Sequence, residues 1–115
     1  MRVAVIGSRS LKLENLEEYL PASVEEIISG GAEGIDACAK AFAAAHAIPY
    51  REYLPMYKVY GRAAPLKRNE QIVEQADMIL AFWDGKSRGT KYSIAYAEKF
   101  GKKVRVIRLP ETGEK

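Results

Sequence analysis

Two kinds of apolar run alternate along this chain. Dense runs rich in β-branched residues recur at Val3–Ile6, Val24–Ser29, Ile48–Tyr53, Met78–Phe82 and Val104–Leu109. Each predicts a strand. Between them lie segments with helical spacing. Leu13–Tyr19 and its neighbour Leu20 set leucines at 13, 16 and 20, and Pro21 stops that stripe. Gly34–His46 is alanine-rich and places Ile35, Cys38, Phe42 and Ala45 on one face. Leu54–Ala64 is irregular. Pro65 suits the first turn of a helix running to about Ala76. Trp83–Arg88 is a polar loop, after which Gly89 and Thr90 open a helix that lasts to about Phe100 and ends at Gly101.

This alternation predicts an α/β fold: a Rossmann-like, three-layer α/β/α arrangement around a five-stranded parallel sheet, in the expected order 3-2-1-4-5. Crossovers should be right-handed. Residues 1–109 are expected to form one domain, with 110–115 a mobile tail.

Composition narrows the class. The chain has 115 residues, 48% of them hydrophobic and 29% charged, which allows one domain with a core and a polar surface. The formal net charge of +3 fits a small anionic ligand. No run of five or six like charges is present, so a basic nucleic-acid-binding arm is not expected. Cys38 is the lone cysteine, which rules out an intramolecular disulfide. With no signal-like or membrane-spanning apolar stretch, a cytoplasmic location away from membranes is expected. LPETG at 109–113 resembles a sortase recognition sequence. Without a leader and a following hydrophobic segment, it reads as a chance match or a tag.

Candidate chemistry gathers where strands end. In open parallel sheets, ligands bind outside the C-terminal strand ends. Here strand one ends in Gly7-Ser8-Arg9. Strand two ends in Gly30-Gly31-Ala32-Glu33-Gly34, with Asp36 just beyond. Strand four ends in Trp83-Asp84-Gly85-Lys86-Ser87-Arg88-Gly89-Thr90. Glycine lets backbone approach a phosphate, and a helix that starts next to it aims free N–H groups at the anion. Gly34 and Thr90 would each begin such a helix. Ser8, Ser87 and Thr90 add hydroxyls; Arg9 and Arg88 add charge. Any one turn alone would read as an ordinary capped turn; three converging turns read as a ligand site.

Neither a Walker A loop nor a correctly spaced dinucleotide fingerprint is present, and no acidic residue ends strand two. Taken together, IGSR (6–9), SGGAEGID (29–36), YGRAAPLKRNEQIV (60–73) and ADMILAFWDGKSRGT (76–90) resemble the SLOG superfamily. That group joins the DNA-processing protein A fold and the Lonely Guy phosphoribohydrolases, and within it the chain resembles the small stand-alone YspA-like branch. The resemblance implies a Rossmann-like domain that binds a nucleotide or nucleotide-derived ligand, with no further cofactor. It also implies a possible homodimer. Lonely Guy enzymes cleave an N-glycosidic bond with a glutamate in PGGxGTxxE and an upstream arginine. Arg68 matches that arginine, whereas Ser93 stands at the glutamate position. Arg68 and Glu70 are therefore the catalytic candidates if any bond is cleaved.

The remaining candidates follow from residue type. Arg68, Asn69 and Glu70 are expected at a helix start facing the site. Trp83 could stack on a base and Asp84 could hold a ribose. Tyr50, Tyr53, Tyr57 and Tyr60, mixed with Arg51, Lys58 and Arg62, could form a ligand lid or partner surface, and Arg62 is the most ligand-like of these. Cys38 is expected in the core and His46 as a helix cap. No metal-ligand spacing is present. Three readings follow: a nucleotide-binding or sensing module, a nucleotide N-glycosidase, and a single-stranded DNA-binding protein.

Overall fold

Successive residues of a strand face opposite sides of a sheet, so a strand that is apolar at every position must be covered twice. In the computed structural model, which describes residues 1–110, β1 (Arg2–Gly7) meets that condition. Val3 and Val5 pack into one core with Ile27, Leu80 and Phe82. Ala4 and Ile6 pack into the other with Ile28, Ile79 and Ala81. The remaining strands are β2 (Glu26–Ser29), β3 (Tyr50–Glu52), β4 (Met78–Trp83) and β5 (Lys103–Arg108). All pair in parallel, in the order β3-β2-β1-β4-β5. The order reverses between β1 and β4, whose register runs from Val3 opposite Met78 to Gly7 opposite Phe82. That junction is the switch point at which such sheets open a crevice.

The first face is covered by α1 (Ile35–Ala45) and by the chain between β1 and β2. The second is covered by α3 (Ala64–Gln75) and α4 (Arg88–Lys99). A one-turn helix α2 (Tyr57–Tyr60) and a 3-10 turn at Gly61–Ala63 link β3 to α3. On α3 and α4, matched spacing of four residues brings Tyr92 to Glu70 and Tyr96 to Glu74, each phenol donating to a carboxylate. Lys102 then donates to the carbonyls of Ala76 (2.8 Å) and Glu74 (3.2 Å), satisfying the end of α3.

One element departs from the sequence pattern. The stripe at 13–20 forms only a 3-10 turn at Leu16–Glu18. Asn15 offers that turn no side-chain cap, and the stretch before Pro21 is too short to offset helix nucleation. Its leucines reach the core all the same: Leu16 is buried, and Leu13 and Leu20 pack beside it. Other differences concern boundaries. Strands two and three are each two residues shorter at the start than the apolar runs imply, and strand four extends to Trp83. Helix four begins at Arg88, not Gly89, because Ser87 caps it. No helix among the described residues is long and apolar enough to cross a membrane. The proposed tail lies, apart from Pro110, outside the described residues.

Candidate functional site

The three glycine-bearing strand ends meet at the switch point, and they interlock before any ligand is considered. A Cβ at Gly7 would lie 2.5 Å from Ile35 Cγ1 and 2.6 Å from the Phe82 carbonyl oxygen. The bare backbone there lets α1 begin against the sheet edge. Gly34 is the N-cap of α1 with φ 73°, and a Cβ on it would lie 2.5 Å from the Arg9 carbonyl oxygen. The loops after β1 and β2 thus touch backbone to backbone. Ser8 is buried; its amide donates to the Phe82 carbonyl (3.1 Å), and its hydroxyl accepts from the Asp84 amide (3.2 Å). The β1 loop is pinned to the β4 loop as well.

Into this frame α3 projects Arg68, one turn inside the helix and not at its start. Its Nη1 donates to the carbonyls of Gly30 (2.6 Å) and Tyr53 (3.4 Å), and its Nε donates to Asn69 Oδ1 (2.9 Å). Nη2 takes part in none of these three bonds. Partial burial pulls the guanidinium below its ordinary value, Asp36 opposes that pull, and Arg9 adds to it as a like charge. Arginine stays protonated through such shifts. Asp36, buried in the first turn of α1, accepts from the Ala32 amide (3.1 Å). Burial raises its pKa, against the Ala32 bond and the Arg68 charge.

Two adjoining cavities result. The inner one, of about 250 Å³, opens at the switch point, between Asp36 on one side and Asn69, Ser87, Gly89 and Thr90 on the other. Ile6, Leu66 and Ile72 give it an apolar wall. Ser87 caps α4 by accepting from the Thr90 amide (3.3 Å). The Arg88 and Gly89 amides have no acceptor within the helix and are available to an anion. The outer cavity, of about 370 Å³, lies between the Gly30–Glu33 loop and the segment carrying Leu54, Pro55 and Tyr57. Arg9 and Arg68 belong to both.

Of the sequence candidates, Gly7, Arg9, Asp36, Asn69, Ser87, Gly89 and Thr90 line the inner cavity. Gly30, Gly31 and Glu33 line the outer one, and Arg9, Ala32 and Arg68 line both. Ser8 and Gly34 act behind them, locking the loops. Four others point elsewhere. Glu70 turns to Tyr92 of α4 and to Lys67. The Trp83 indole donates to the Ser87 carbonyl (3.0 Å) and lies beneath the Arg108 guanidinium. Gly85 is covered by that same guanidinium. Arg62 is exposed on the 3-10 turn and lines neither cavity.

Asp84 has a turn to hold. Its carboxylate accepts from the amides of Lys86 and Ser87 (2.8 Å each) and from the Ser10 hydroxyl (3.1 Å). The Lys86 and Ser87 amides bring its pKa down from the ordinary 3.8 to about 2. The folded state therefore holds this proton more weakly than the unfolded chain. The stability it contributes is complete above the unfolded value and is lost as pH falls through about 2. Asp84→Asn is expected to flatten the fall in urea midpoint between pH ~4 and ~2. Equal acid slopes in the two proteins would contradict this role.

Residues the sequence reading missed are mostly apolar. Ile6, Leu66 and Ile72 carry no polar signal of their own; only their place at the edge beside a switch point marks them. Ser93 also lines the inner cavity, but its hydroxyl donates back to the Gly89 carbonyl (3.1 Å). No group of three or more His, Cys, Asp or Glu among the described residues could hold a metal. Compared with family models, curated proteins and solved structures, the chain matches none of them.

Proposed function

We propose that this chain binds a nucleotide or nucleotide-derived ligand at the switch-point cleft, as a binding or sensing module. The observation that carries the reading is the seam between the cavities. There Arg9 and Arg68 line both cavities, beside Asp36 and Ala37 in the first turn of α1. This places two cations and a helix N-terminus around one position, the arrangement an anionic phosphate ester favours. The amides opening α4 give the inner cavity a second set of anion donors. The motif resemblance to the SLOG superfamily points to the same ligand class.

Two features favour binding over bond cleavage. Glycosidic cleavage needs a carboxylate near the developing positive charge. Glu70 is turned away from the cleft and Ser93 stands at the glutamate position of the Lonely Guy motif, while Asp36, the carboxyl that does line the inner cavity, is engaged by the Ala32 amide. Single-stranded DNA is disfavoured by the small net charge and the lack of a basic run.

Thermal unfolding in the presence of millimolar AMP, GMP, CMP, UMP, ADP and inorganic phosphate tests the reading. A ligand at a hundred times its Kd stabilises by about 2.7 kcal/mol, so at least one nucleotide should raise Tm by ~5 °C or more. Absence of any shift, together with flat calorimetric titrations, would sink the reading. Release of free base during incubation would replace it with the hydrolase.

A further inference from the structure

We propose that the ligand is a nucleoside diphosphate esterified at its second phosphate, with one organic group in each cavity and the diphosphate between them. This rests on the nucleotide reading above and adds the ligand's architecture. The charge lies in the middle of the site. Arg9 and Arg68 are shared by the two cavities, close enough that each repels the other's charge. A diphosphate at the seam would relieve that repulsion and could engage both arginines.

The flanks differ from the middle and resemble each other. Inward of the seam, Ile6, Leu66 and Ile72 form an apolar wall, and Asp36 is the carboxyl. Outward, Leu54, Pro55 and Tyr57 form the wall, and Glu33 is the carboxyl. An apolar wall beside a carboxylate is what a sugar-bearing ring requires, because the acid accepts from hydroxyls while the wall covers the flat face. A mononucleotide with its phosphate at the seam would fill one flank and leave the other to water.

Size agrees. At about 250 Å³ the inner cavity lies below the ~300 Å³ lower end of ordinary small-molecule sites, and at about 370 Å³ the outer one barely exceeds it. Joined through the shared arginines, they fall well within that range. The outer wall is also exposed where it faces water: Leu54 is 56% and Tyr57 61% accessible. A ring seated there would cover them.

Isothermal titration can compare NAD⁺, UDP-glucose and GDP-mannose, each against the mononucleotide of its own base (AMP, UMP, GMP). At least one diester is expected to bind tenfold or more tightly than its mononucleotide. NAD⁺ alone would mark a dinucleotide ligand, and a sugar diphosphate would mark a nucleotide-sugar. Tyr57→Ala should cut that preference at least fivefold, as should Glu33→Gln; both residues are exposed, so the fold should tolerate the changes. If every diester binds no better than its mononucleotide, or if the preference survives both substitutions, the two-part ligand is wrong while nucleotide binding stands. If no nucleotide or diester binds, both readings fall.

Discussion

Replacing Arg68 by methionine is expected to weaken binding of any stabilising nucleotide by ~10- to 100-fold. That range corresponds to losing one or two hydrogen bonds to a charged group, at roughly 1.5–3 kcal/mol. The effect on folding should be smaller, because two consequences oppose each other. The Gly30 carbonyl loses its 2.6 Å donor, which is costly at a buried position. Against that, a partly buried cation disappears, and with it the repulsion from Arg9. Arg68→Lys should fall between wild type and methionine, since it keeps the charge but cannot reach Gly30, Asn69 and a ligand at once. Titration at two salt concentrations, beside urea unfolding of each variant, separates affinity from stability. A methionine variant that binds within threefold of wild type would remove Arg68 from the site.

The same residue shows what the sequence could reveal. Arg68 and Glu70 were paired as candidates because both sit in one motif. Residues two apart on an α-helix point about 160° away from each other, so they cannot both face one cleft. Arg68 faces the sheet edge, and Glu70 faces α4. Trp83 and Asp84 raised a different problem. Sequence places them correctly at the end of β4, but it does not show where the turn's own amides point. The Lys86 and Ser87 amides take the Asp84 carboxylate, and Arg108 of the neighbouring strand covers Trp83.

The sheet was far more legible than the site, for a physical reason. Strands buried on both faces must be apolar at nearly every position, and β1 and β4 read that way without ambiguity. Glycine-rich strand ends then located the cleft, because the topology carries them to one edge. The chain between β1 and β2 was harder. Leucines at 13, 16 and 20 satisfy a helical period and also satisfy a coil that dips into the core three times. The outer wall at Leu54–Tyr57 carried no periodic signal, since its short helix is one turn long and wholly exposed.

The largest loss of stability is expected from Gly34→Ala. At φ 73° and ψ −125° the residue lies in backbone territory that a side chain makes strained, at ~1–3 kcal/mol. Strain is only half of the cost. The new Cβ would lie 2.5 Å from the Arg9 carbonyl oxygen and 2.7 Å from that of Ser8, and both are backbone atoms with no rotamer to change. Such overpacking adds about another 1–3 kcal/mol. The combined ~2–6 kcal/mol is a large share of the 5–15 kcal/mol that holds a typical domain together, and Tm should fall by roughly 10–30 °C. Gly101→Ala isolates the strain, because its φ of 69° is similar and nothing lies within 4 Å of its Cβ position. It should lower Tm by only about half as much. Equal losses in the two variants would mean that the loops after β1 and β2 are not interlocked. The predicted inequality has a functional side too: the Gly34 methyl can be relieved only by moving the strand of backbone that carries Arg9, so whatever fold survives should bind anions less tightly, whereas Gly101→Ala should not alter binding.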